Sequence, residues 1–215
     1  MEPDIRFLTF QQWKIIVTMM IVIGMNSCRK DTLHPVSLCP KMETIPVTDT
    51  LIHVIASNTL LTASHSWYIK GWVYVNNEAS LRMEPGTIIN ILPDDEYKNG
   101  GLVITRGAYI NAVGTDRLPV HFNIITAGGI VILGKAPTAK PLAVWDNPET
   151  PLQSGLAFGG SVKEDSSGIL QHVLIDYPAN NKTSGLWLLG TGTKTVIQNV
   201  TTQKGHNGIK HIHLP

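Results

Sequence analysis

The segment from Gly71 to Ile91 reads GWVYVNNEASLRMEPGTIINI. Its runs WVYV, SLRM and TIINI are apolar at every second residue, and NNEA and EPG between them are turn-forming. No run exceeds about six residues, and none carries the helical period. A chain written this way makes short strands and turns after each one. The same units recur as LVITRG, AYINAV and PVHFN, and again as GGIVILG. The architecture this predicts is a backbone that coils repeatedly round one axis and lays parallel strands on three faces.

Spacing carries the same message. Aligning WVYV (72–75) with LVIT (102–105) and IVIL (130–133) gives offsets of 30 and 28 residues. Gly168-Ile169-Leu170, Gly185-Leu186-Trp187 and Gly208-Ile209-Lys210 follow at offsets of 17 and 23. Thr195–Thr201 reads as one strand alternating apolar and polar residues. A β-sandwich also uses many short strands, but it needs hairpin turns, and Asn99-Gly100 is an isolated example here. The expected fold is therefore all-β, a short parallel β-helix. Asparagines near the expected strand ends (Asn76, Asn77, Asn90, Asn111, Asn123, Asn199) fit either stacked turn ladders or plain turn propensity.

A chain of 215 residues with 43% hydrophobic and 15% charged side chains suits one such domain plus appendages. Net charge is +1, from 17 basic and 16 acidic residues, which gives no electrostatic ground for a nucleic-acid partner. The two cysteines, Cys28 and Cys39, do not make a disulfide framework.

Ile15 to Met25 is an apolar run of eleven residues. At about 1.5 Å per residue it falls well short of a hydrocarbon core of about 30 Å, and it has the length of a secretory h-region. Asn26-Ser27-Cys28 then resembles a bacterial lipobox, with Met25 and Asn26 departing from its usual residues. The alternatives are an uncleaved anchor or a buried strand pair. The resemblance implies a signal peptide over 1–27 and lipidation at Cys28. Cys39 would then stand alone; without lipidation the spacing allows a Cys28–Cys39 loop. Arg29-Lys30-Asp31 is similar to the surface-export signal of some Gram-negative lipoproteins. Residues 28–50, with His34-Pro35, Cys39-Pro40 and Ile45-Pro46, read as a flexible tether, and 51–215 as the β-helix domain.

Taken in order, GWVYVNNEASLRMEPGTII, GLVITRGAYINAVGTDRLPVHFN, GGIVILGKAPT, LAFGG, SGILQHVLIDY and SGLWLLGTGTKTVIQNV resemble a group of lipoproteins and secreted proteins from Bacteroidetes-type bacteria. These carry right-handed parallel β-helix (pectin-lyase-like) domains, and the likeness runs from about residue 65 to 209. It implies a right-handed β-helix on an outer-membrane lipoprotein, facing periplasm or cell surface. The segment after Thr202 departs from that group, which keeps coiling past the position of Pro215. A C-terminally truncated product without independent function is therefore one expectation.

Trp67, Tyr68, Trp72 and Tyr74 form the densest aromatic group. If Val73 and Val75 point inward, Trp72 and Tyr74 share the outer face. The four fit a cap over the first coil, the favoured reading because terminal repeats need cover, or a platform stacking on sugar rings. Asp94-Asp95-Glu96 and Glu164-Asp165 are the acidic clusters. Calcium takes about six to eight oxygens, so the tripeptide reads first as a polar loop. His206, His211 and His213 are weak zinc candidates, with His211 and His213 on one side of an extended strand. Lys135, Arg106 and Arg117 read as isolated turn residues, and GxSxG, P-loop, CxxC and HExxH are absent. No cofactor is expected. The leading expectation is a non-catalytic scaffold for glycan or an envelope protein. A polysaccharide lyase or glycosidase is the alternative, and it requires a second carboxylate or a basic residue converging with a first.

Overall fold

The computed structural model describes residues 43–76, 78–96, 98–125, 127–139, 143–144, 156–178, 185–203 and 209–212. All of them fall in one compact unit, Lys41–Pro215. The expected signal peptide, Cys28, Cys39, His206 and His213 lie outside the described residues.

The chain winds as a succession of coils, each contributing one strand to each of three faces. The first coil holds β1 (Thr50–Leu51), β2 (Val54–Ile55) and β3 (Thr59–Leu61). The second holds β4 (Trp67–Lys70), β5 (Trp72–Val75) and β6 (Ser80–Met83). Next come β7 (Ile88–Leu92), β8 (Asn99–Ile104) and β9 (Tyr109–Val113), then β10 (Val120–Ile124) and β11 (Ala127–Leu133). An insertion carrying β12 (Ala143–Val144) and β13 (Ala157–Phe158) follows. The coil resumes with β14 (Gly168–Asp176), β15 (Leu186–Leu189), β16 (Val196–Gln203) and β17 (Ile209–Ile212). Every pairing between coils is parallel; the short β12–β13 pair is antiparallel. This is the expected right-handed parallel β-helix, with no sandwich.

The first face stacks β1, β4, β7, β10 and the second half of β14. The second stacks β2, β5, β8, β11, β15 and β17, and the third β3, β6, β9 and the first half of β14. β16 pairs with β14 along both halves. A corner therefore lies inside each of β14 and β16, although each reads as one strand. His172 (φ 49°) and Asn199 (φ 52°) take the left-handed conformation there, in equivalent positions of successive coils. Asn199 is a corner residue, so the alternation predicted across Thr195–Thr201 breaks at it: Ile197 and Val200 both pack on the core.

Strand alternation sends one set of residues inward, where parallel register stacks like on like. Val73, Leu102, Ile130 and Leu186 form one buried column, and Val75, Ile104, Ile132 and Leu188 another. Trp67, Ile89, Phe122 and Ile175 form a third. Two spacings differ from expectation. Val73, not Trp72, pairs with Leu102, so the first offset is 29 rather than 30. Gly168-Ile169-Leu170 belongs to the third face and Gly185-Leu186-Trp187 to the second, so the offset of 17 joins different faces. The offset of 23, from Leu186 to Ile209, is a true rung.

The domain also begins earlier than residue 51. Thr44 bridges Thr59, and the Thr44 amide donates to the Asn58 carbonyl at 2.7 Å. The last part of the expected tether is thus hydrogen-bonded to the first coil.

Candidate functional site

The four aromatics of the second coil part company. Trp67 is an inward residue with no exposed surface, and its Nε1–H donates to the Thr62 carbonyl at 2.8 Å. Strand β1 begins opposite Tyr68, so no strand residue stands above Trp67 and its indole closes the head of that core column. Trp72 and Tyr74 do share the outer side of the second face. That side is not bare: Trp72, Val103, Val131, Leu133, Trp187 and Leu189 form a second apolar cluster under Phe158 of the insertion, with Tyr74 and Leu156 packed against it. Trp72 is 9% exposed, and its Nε1–H donates to Asn99 Oδ1 at 2.9 Å. A shared aromatic platform therefore does not form. Tyr68, 38% exposed on the first face, is the member left open to a ligand.

Arg106, expected as an isolated turn charge, helps hold the roof over the second face. Its Nε–H donates to the Gly159 carbonyl at 2.9 Å, while the Gly159 amide donates to the Gly134 carbonyl at 2.8 Å. The second face is thereby occupied by the chain itself, and the first presents its own polar surface.

Register on the first face aligns Tyr68, Asn90, Asn123 and Asp176 on successive rungs, one per coil. Rungs are about 4.8 Å apart. Asn123 Nδ2 donates to Asn90 Oδ1 at 3.1 Å, and Asn90 Nδ2 lies 3.5 Å from the Trp67 carbonyl. These two asparagines, expected near strand ends, sit within strands and form an outward amide ladder. One column away, His121 Nε2 lies 3.0 Å from Asp176 Oδ2. The other oxygen of that carboxylate, Oδ1, is enclosed without a hydrogen-bond partner among the described residues. The result is a line of an aromatic ring, two amides and an imidazole–carboxylate pair on a rigid sheet.

Sequence reasoning missed His121 and Asp176. Each sits in a run with inward apolar neighbours, VHFN and LID, and that alternation marks both as outward. Their meeting depends on which rungs adjoin, and the insertion between β11 and β14 hides that spacing.

Of the metal candidates, His206 and His213 lie outside the described residues, and the acidic ones do not assemble. Among the described residues no three His, Cys, Asp or Glu side chains are grouped to hold an ion. Asp95 accepts from Lys70 Nζ at 2.8 Å on the surface. The Lys70 ammonium holds the Asp95 carboxyl below its usual range, and that carboxylate raises the lysine in turn. Glu164 pairs with Lys194 at 2.8 Å, and Asp165 Oδ2 accepts from the Ser167 hydroxyl at 2.7 Å. His211 stands opposite Leu188 in the β15–β17 register. On the described strands of the first face Asp176 is the one acidic residue.

A family model described as a pectate-lyase-like beta helix domain matches residues 53–210. Searches of curated proteins and of solved structures return no significant match.

Proposed function

The chain belongs to the pectate-lyase-like β-helix family, and from the polar ladder on its first sheet and the lipobox-like Asn26-Ser27-Cys28 we propose that it is a lipid-anchored, non-catalytic protein of the bacterial outer envelope whose first sheet binds glycan. The observation that carries this reading is the ladder of Tyr68, Asn90, Asn123 and the His121–Asp176 pair on consecutive rungs. Amides and a carboxylate bond sugar hydroxyls, and an aromatic face packs on the apolar face of a pyranose. A β-helix supplies these groups at a fixed repeat along one line, which suits an extended chain more than a compact ligand.

A panel of immobilised oligosaccharides probed with the full-length protein tests the reading. Retention of one or more sugars is expected, with Tyr68→Ala weakening it about tenfold, close to the worth of one aromatic contact. No retention by the wild type, or equal retention by Tyr68→Ala, overturns it. The anchor is tested separately. Globomycin-sensitive incorporation of labelled fatty acid is expected in cells expressing the wild type and not Cys28→Ala; an unlabelled wild type rejects lipidation.

The His121–Asp176 contact favours one second reading, a carbohydrate-active enzyme in which Asp176 orients His121 as a general base. A glycosidase of the usual kind uses two carboxyl groups flanking the bond. The described strands of this face supply one, which is why binding without turnover comes first.

A further inference from the structure

We propose that the first face selects neutral glycans against acidic ones, and that Asp176 is the residue that sets this selectivity. The inference rests on the glycan-binding reading and adds the class of sugar. Asp176 occupies the same outward column as Asn123, one rung along, with 16% of its side chain exposed. Its Oδ2 is taken by His121 Nε2 at 3.0 Å, and its Oδ1 is enclosed with no donor among the described residues. A uronate carboxylate lodged over Asn123 would therefore lie about one rung, ~4.8 Å, from an anionic group already short of donors. Like charges placed so are strongly disfavoured in a recognition surface.

Among the described strands of this face, lysine and arginine charge is scarce. Lys70 is the one lysine or arginine among the described strand residues of this face, and its ammonium is held by Asp95 at 2.8 Å. A neutral sugar brings hydroxyl donors, which Asp176 Oδ2 and the amide oxygens can accept, and no charge to be neutralised.

The test titrates the full-length protein with cellohexaose, mannohexaose and hexagalacturonate at neutral pH and low ionic strength. At least one neutral hexasaccharide is expected to bind about tenfold or more tighter than hexagalacturonate. Asp176→Asn should reduce the neutral-to-acidic affinity ratio about tenfold, and added salt should narrow the same gap in the wild type. The salt series needs no variant, so it decides the matter even if Asp176→Asn folds poorly. Hexagalacturonate binding as tightly as the neutral sugars, or a gap insensitive to salt, overturns the selectivity and leaves glycan binding standing. Retention of none of the three, nor of any sugar in the panel, removes both.

Discussion

Trp67→Ala is expected to cost about 3–5 kcal/mol of unfolding free energy, the range for deleting a fully buried large aromatic. The indole has no exposed surface and heads the column over Ile89, Phe122 and Ile175. Its removal leaves a cavity at the upper end of the core, where β1 and β2 are two residues each and have little to collapse with. It also strands the Thr62 carbonyl, which now accepts from Nε1–H at 2.8 Å. Trp67→Phe separates these contributions, because it keeps a ring and loses the donor; a loss of about 1–3 kcal/mol is expected. The neighbouring His65 ring, 4.5 Å from the indole centroid and tilted 44°, would lose its support in the alanine variant. Tyr68→Ala, one residue along and pointing outward, should change stability far less. Urea denaturation of the variants reads the difference. Coincident midpoints for Trp67→Ala and Tyr68→Ala would mean that the two aromatics share one environment, and the inward assignment of Trp67 would fall.

The contrast between those neighbours shows what the sequence can and cannot disclose. Alternation records which residues of a strand share a face, so the inward roles of Val73 and Val75 were legible, as was the whole parallel architecture. Alternation does not say which of two aromatic neighbours points in: Trp67-Tyr68 looks the same in either phase until the pairing with Ile89-Asn90 fixes it. Corners were hidden for a related reason. His172 and Asn199 turn the backbone within a single residue, so no glycine or proline cluster marks the change of face. The His121–Asp176 contact was the least accessible, because 55 residues and the insertion separate its members. Coil length here varies with each loop, and a variable period cannot predict which polar residues meet on the surface.

Gly101→Val is the sharpest check on register, and a loss of roughly 3 kcal/mol or more is expected. Trp72 lies opposite Gly101, which lies opposite Gly129, in an outward column of the second face. The indole extends over the bare Gly101 backbone. A Cβ on Gly101 would stand 2.2 Å from Trp72 Cζ3 and 2.4 Å from the Gly129 carbonyl oxygen. The first neighbour is a side chain held by its bond to Asn99, and the second is backbone of the adjoining rung. Trp72→Ala in the same chain removes the first clash and leaves the second. The double variant should therefore lose less than the sum of the single losses, with a coupling of about 0.5–3 kcal/mol, and should still fall short of Trp72→Ala alone. At an offset of 30, Trp72 would instead stack on Leu102, and valine at Gly101 would be a β-favouring change in a strand. A neutral or stabilising Gly101→Val would restore that alternative register, and with it an outward rather than inward column through Leu102.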